Sequence, residues 1–265
     1  MTTKTLLLLV EGPHDLEFCA RLLKCFAFSR IQRHEVLQKE YPFWTRLVPE
    51  RWPQKGDLLA RHPVPVFFAN PEGQSVAIIN SVGISKLAMR LGIDLAGLNH
   101  LPDAVAVLLD ADDDGDPCQR HTRLLGEIAG RPEPELRQLR FPTEPGQVAT
   151  GTPRCGVFVL PDNRSTGTLE DLLLEAGSAS YPELNAAAEG YVRSVQALPE
   201  LCPKDVEELR KPAGLKKATV AAMSSILKPG KAIQVSIQDN RWLEENSIAL
   251  PRIAEVIRFF RLLLE

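Results

Sequence analysis

The sequence predicts an α/β protein: a parallel, Rossmann-like sheet flanked by helices, with a helical extension at the C-terminal end. Three observations carry that expectation. Short apolar runs stop abruptly at acidic, asparagine or proline residues, as strands buried on both faces do. The first three runs each lead into a stretch with the helical period of 3.6. Beyond residue 178 the chain reads as helix alone. The expected organisation is an α/β domain over 1–178, with an irregular basic insertion at about 30–75, and a helical segment over 179–265 packing on it.

Thr5 to Val10 forms the first apolar run and ends at Glu11-Gly12-Pro13. From Asp15 the period changes, placing Leu16, Cys19, Leu22, Leu23 and Phe26 on one helical face. Residues 30–75 are rich in Arg, Pro and aromatics, including Trp44 and Trp52, and predict irregular structure with a short helix. Val76 to Asn80 is a second strand, followed by Ser81-Val82-Gly83 and a helix through Lys86 to Leu91. Val105 to Leu109 is a third, delivering an acidic stretch, with a helix expected from Cys118 to Ile128. Gly156 to Leu160 is a fourth, ending at Pro161-Asp162-Asn163. Thr168–Glu175, Tyr181–Ala197, Lys204–Leu227 and Leu250–Leu264 read as helices, the last with a stripe of Ile253, Val256, Ile257, Phe260 and Leu263. Repeated βα units place function at the C-terminal ends of the strands.

Composition narrows the class. Among 265 residues, 44% are hydrophobic and 25% charged, enough apolar material for a sizeable core. No apolar run approaches the roughly 18–20 residues that cross a bilayer, and the run at Leu6–Val10 is too short for a secretory leader. A cytoplasmic location without membrane contact is therefore expected. Five cysteines with no C-x-x-C pair give neither a zinc ribbon nor a disulfide framework. Net charge is −3, unevenly spread. Arg21 to Arg61 holds nine Lys/Arg against four Asp/Glu, and Lys204 to Lys231 seven against three. Basic flanks around an acidic centre suit a protein that holds a phosphate backbone beside a metal.

That acidic centre is V-L-L-D-A-D-D-D-G-D at 107–116, with five carboxylates in seven residues. Crowded carboxylates raise one another's pKa unless something positive neutralises them. Glu11 follows the first strand and Asp110 the third, so both should lie at one sheet edge. In extended backbone, side chains at i and i+2 point the same way, which would bring Asp112 alongside Asp110. A few carboxylates suit Mg²⁺, with Mn²⁺ as a substitute, and no His or Cys stands among these acids to favour zinc. The D-x-D-x-D-G at Asp110 is no EF-hand, because His121 occupies the position where a bidentate Glu is needed. An aspartate-nucleophile phosphatase would carry its motif on the first strand, with Thr or Val in place of Asp114. A solvated acidic turn is the plain alternative, since Asp113, Asp114 and Asp116 have no assigned partner.

V-E-G-P-H-D at 10–15, Gly83 after the second strand and L-D-A-D at 109–112 together resemble a TOPRIM domain, the metal-binding α/β module of topoisomerases and bacterial primases. The resemblance spans roughly residues 3–175. Within that fold the chain is most similar to the nuclease branch named after overcoming-lysogenization-defect proteins, with its small stand-alone relatives. A second acid follows the first Glu by four residues, here Asp15. A glycine turn leads into a helix with an early Glu, here Gly167 to Leu173 with Glu170. A lysine lies in the C-terminal helical part, for which Lys217, with Lys216 beside it, is the candidate.

The resemblance implies metal ligands at Glu11, Asp15, Asp110, Asp112 and Glu170, holding one or two Mg²⁺ ions. Glu11 and Lys217 would be catalytic, with Lys217 neutralising charge on a scissile phosphate. Gly83, Lys86 and Lys216 are weaker candidates for substrate contact. Glu170-Asp171 can equally be an acidic pair favoured at a helix start after the cap Thr168, and His14 a polar turn residue.

The implied function is a Mg²⁺-dependent nuclease (a phosphodiester hydrolase) acting on DNA before RNA, as effector of an anti-phage or DNA-processing system. A non-catalytic or partner-dependent nucleic-acid or nucleotide module is the first alternative, and a phosphohydrolase of small esters the second. No tyrosine gate suggests a topoisomerase, no zinc ribbon a primase, and no G-x-x-x-x-G-K-[ST] loop an ATPase. Expected partners are nucleic acid, a separate ATPase polypeptide and a second copy of the chain.

Overall fold

A computed structural model describes residues 4–49, 64–112, 115–196 and 198–265. Trp52, Asp113, Asp114, Ala197 and the middle of the basic insertion lie outside the described residues.

Among the described residues, seven strands form one sheet: β1 Lys4–Val10, β2 Ser29–Arg30, β3 Val66–Ala69, β4 Gln74–Asn80, β5 Ala104–Asp110, β6 Val148–Ala149 and β7 Arg154–Leu160. Their spatial order is β2-β3-β4-β1-β5-β7-β6. The centre, β4-β1-β5-β7, is parallel throughout, with Leu8 of β1 level with Ile78 on one side and Ala106 on the other. The outer strands β2, β3 and β6 run antiparallel to their neighbours. The sheet is therefore mixed, and the four strands expected from sequence are its parallel core. The edge strands escaped sequence reading because two of them are two residues long and β3 lies inside the irregular insertion.

Helices cover both faces. On one side lie α1 Pro13–Leu23, α5 Leu169–Ser180 and α10 Pro251–Leu264, backed by α6 Pro182–Val195, α7 Gly214–Leu227, α8 Ile233–Asp239 and the short α9 Glu245–Ile248. On the other lie α2 His34–Glu40, α3 Leu87–Gly97 and α4 Pro117–Ala129. β1 divides its side chains between the two layers. Leu6, Leu8 and Val10 join the α1/α5/α10 cluster, while Leu7 and Leu9 join the α3/α4 cluster. That alternation explains a run of apolar residues with no polar interruption.

Expected helices change at their ends, that from Thr168 running on to Ser180. The segment from Lys204 becomes helical only at Gly214, the residues before it forming turns, and the expected helix after Gly83 opens with a 3₁₀ turn at Ile84–Lys86. A division at 178/179 would cut α5 two residues before its end. Ile253, Val256, Phe259 and Phe260 of α10 are buried in the same cluster as Leu6 and Leu8 of the sheet. Among the described residues, no helix is long and apolar enough to cross a membrane.

Candidate metal centre

The chain leaves β1 for β4 on one side and reaches β5 on the other. The crevice between the C-terminal ends of β1 and β5 is thus the topological switch point, where open α/β sheets bind ligands. Glu11 and Asp110 stand there. The Asp110 backbone N–H donates to Glu11 Oε1 at 2.9 Å, and Asp110 Oδ1 accepts from the Leu169 N–H at the start of α5 at 2.8 Å. One hydrogen-bonded chain so links β1, β5 and α5 through two carboxylates.

Asp15 enters from below. It is the third residue of α1, where its Oδ2 accepts from the Gly12 N–H at 2.9 Å and closes the turn after β1. Its other oxygen, Oδ1, is buried and has no hydrogen-bond partner among the described residues. The negative charges of Glu11 and Glu170 both reach it. Burial first, then these two neighbours, push the Asp15 carboxyl up to about 7 from 3.8. Asp110 is driven well above its usual value by burial and by Asp15, Glu11 and Glu170 in turn, with the Leu169 N–H opposing. Burial also raises Glu11, against the Asp110 N–H and the charges of Arg120 and Lys217.

Glu170 and Asp171, adjacent in sequence, take different tasks. Asp171 Oδ2 accepts from the Thr168 N–H at 2.8 Å, the capping role expected of an acid in the first helical turn. Glu170 is buried, and its charge is felt at Glu11, Asp15, Asp110 and His14. The two lysines divide similarly. Lys216 binds Asp171 at 2.9 Å, whereas the charge of exposed Lys217 reaches Glu11 and His14. His14, half-buried at the same edge, is shifted down by desolvation, with Glu170 opposing. The Gly83 N–H donates to the Glu11 carbonyl at 2.9 Å, so the turn after β4 braces the one after β1. Lys86 is exposed on the 3₁₀ turn beyond it.

Asp112 departs from expectation. β5 ends at Asp110, and Asp112 adopts left-handed backbone with φ of 65°. The alternation that would align it with Asp110 therefore stops short of it. Its carbonyl accepts from the Gly167 N–H at 2.9 Å, while its carboxylate is ion-paired with Arg120 of α4. Arg120 Nε also donates to the Ala111 carbonyl at 3.1 Å. Sequence reading missed Arg120; its signal was a cation near the N-terminal end of a helix, where the macrodipole disfavours one.

Glu11, Asp15, Asp110 and Glu170 thus share one electrostatic environment, edged by the cations Arg120 and Lys217. Among the described residues, no three His, Cys, Asp or Glu side chains are drawn together closely enough to hold an ion in the arrangement they have. The donor set nonetheless fits a hard divalent cation. It is all oxygen, it is under mutual repulsion, and it contains a buried carboxylate oxygen that lacks a partner.

By fold and site, the molecule is a doubly wound α/β protein with acids gathered at the switch point of a mainly parallel sheet. It belongs to the family described as "Protein of unknown function (DUF3226)", whose family model matches residues 5–265. A crystal structure of a hypothetical protein from Pyrococcus horikoshii OT3 is similar at 18% identity and a TM-score of 0.48, over 98% of this chain and 95% of that one. No curated protein matches the chain.

Proposed function

We propose that this protein is a Mg²⁺-dependent nuclease of the TOPRIM type, with Glu11, Asp15, Asp110 and Glu170 as the metal-holding side chains. The observation that carries the reading is the buried, unpartnered Asp15 Oδ1 among three further carboxylates at the switch point. A structural cluster of this kind would be expected to satisfy its oxygens internally. One that awaits a cation would not. A bound divalent cation would supply Lewis acidity and lower the pKa of a coordinated water.

The chain's own residues define the remaining work. The Leu169 N–H orients the Asp110 carboxylate, and the Asp110 N–H orients Glu11. Lys217, exposed but within electrostatic reach of Glu11, would meet a phosphate oxygen as negative charge grows on it. Burial shifts His14 at the same edge toward its neutral form, with the charge of Glu170 opposing, and a neutral imidazole can accept a hydrogen bond.

A second reading has its own observation. Asp112 is occupied by Arg120, so the D-x-D pair does not act as a unit. That favours a nucleic-acid or nucleotide module whose metal site is completed only by a partner, such as a separate ATPase.

The two readings separate in one assay. Pure protein is incubated with supercoiled plasmid, single-stranded DNA and RNA, in Mg²⁺, Mn²⁺ or EDTA, beside Glu11→Ala and Asp110→Ala. Cleavage that requires metal and disappears in both variants is the expected result. Binding without cleavage under every condition would favour the partner-dependent module, and release of phosphate from small esters a phosphohydrolase.

A further inference from the structure

We infer that Arg120 is a substrate-sensing residue: it holds Asp112 away from the acid cluster until a phosphate of the nucleic acid takes its guanidinium. The inference rests on the metal-site reading above and adds the order in which that site is assembled.

Three features carry it. First, Arg120 binds the two consecutive residues that follow β5 at once, through Nε to the Ala111 carbonyl and through its terminal nitrogen to the Asp112 carboxylate. Second, Asp112 is held in an unusual conformation. Its backbone is left-handed, and its carbonyl is tied to the Gly167 N–H, two residues before the Leu169 N–H that binds Asp110. The Asp112 carboxylate thus follows Asp110 by two residues but is engaged elsewhere. Third, the Arg120 charge is felt at Glu11, as is that of Lys217, so this guanidinium belongs to the electrostatic surroundings of the same site.

A guanidinium binds phosphate by the same forked geometry that it uses for carboxylate, so the two anions compete for it. When a phosphodiester oxygen pairs with Arg120, the Asp112 carboxylate loses its partner. Part-exposed and two residues beyond Asp110, it can then turn to a cation held there. No bond forms or breaks in this exchange; one ion pair replaces another. Coupling the two events would keep the metal weakly held until the polymer is in place.

The test uses the chain of residues 1–265 without nucleic acid and reads Mn²⁺ binding by titration calorimetry. Arg120→Gln frees Asp112 and is expected to tighten Mn²⁺ by about fivefold or more, the effect of releasing one partly exposed ion pair. Removing a positive charge could by itself attract a cation, so the double variant Asp112→Asn/Arg120→Gln is the control. Return of that variant to wild-type affinity supports the inference; a gain that persists in it would overturn it. A second arm measures binding of a phosphorothioate oligonucleotide in EDTA against salt. Arg120→Gln should lower the salt slope by about one ion, whereas an unchanged slope would sink the phosphate contact.

The two levels fail differently. If wild type and Glu11→Gln bind Mn²⁺ equally weakly in every form, the metal site itself is wrong. If wild type binds, Glu11→Gln does not, and Arg120→Gln changes nothing, only the role given to Arg120 falls.

Discussion

The Asp15 carboxyl shows how a single buried group ties stability to pH. Its value in the folded chain is about 7, against 3.8 for an ordinary aspartate. Between those values the folded chain keeps a proton that the unfolded chain has released. The stabilisation is therefore complete below about pH 4 and is lost as pH rises to 7. Metal-free protein in EDTA should accordingly melt at a lower temperature at pH 8 than at pH 5. Asp15→Asn should flatten that dependence and stabilise the metal-free protein at pH 8 by on the order of 1–4 kcal/mol. Thermal melts of both proteins at the two pH values would show it, and an equal slope in the variant would refute the assignment. Val82 offers a second test. It is β-branched yet left-handed, with φ of 59° and a side chain that stays exposed. Val82→Gly should raise stability in urea denaturation by about 0.5–1 kcal/mol, because the strain relieved exceeds the added chain entropy. A destabilised variant would mean that the isopropyl group packs against something.

At the level of the elements, two glycines fix how helices meet the sheet. Gly156 of β7 lies directly under α10: a Cβ there would stand 2.7 Å from the Phe259 ring and 3.0 Å from the Gln147 carbonyl. Phe259 in turn packs on Phe158 at 5.4 Å between ring centroids. Gly156→Ala must push α10 off the sheet, at a cost of about 1–3 kcal/mol in urea denaturation. A neutral result would show that α10 can slide freely. Gly167 has a different reason to be glycine. Its φ is 140°, and a Cβ would meet Asp171 Oδ2 at 2.6 Å, disturbing the cap that starts α5. Gly167→Ala should lower stability by roughly 1–3 kcal/mol. It should also weaken Mn²⁺ binding, because the Leu169 N–H that orients Asp110 rides on that turn. Mn²⁺ affinity equal to wild type would break this link between cap and site.

For the whole molecule, the question is whether the α/β part stands alone. Phe259, Phe260, Ile253 and Val256 of α10 are each at most 1% exposed and share one core with β1, β5 and β7. A fully buried side chain of that size contributes roughly 1.5–3 kcal/mol, so loss of four approaches the entire stability of an ordinary domain. A fragment comprising residues 1–178 should therefore lack cooperative unfolding by circular dichroism. A fragment that melted sharply would establish two independent units. Polar ties point the same way. Arg252 of α10 binds Asp162 at 2.9 Å and Glu175 at 2.7 Å, locking that helix to the turn after β7 and to α5.

Much of this could be read along the chain. The four core strands were legible because burial on both faces leaves a local trace, an uninterrupted apolar run such as Leu6–Val10. Glu11 and Asp110 were legible because strand ends in a parallel sheet share one edge. The edge strands were not, since a two-residue strand such as Val148–Ala149 has no period to detect and exists only through its pairing with Cys155 and Gly156.

Sequence by itself determined the parallel core, its helical layers and the gathering of acids at one edge, because each rests on local periodicity and chain order. Only the tertiary structure decided which neighbour does which task. Glu170 turns inward while Asp171 caps, Lys217 reaches the acids while Lys216 pairs with Asp171, and Asp112 leaves Asp110 for Arg120. Adjacent residues of like charge are equivalent to any reading of pattern. The direction of a side chain is set by the backbone that carries it and by partners far away in sequence, and those exist only once the chain has folded.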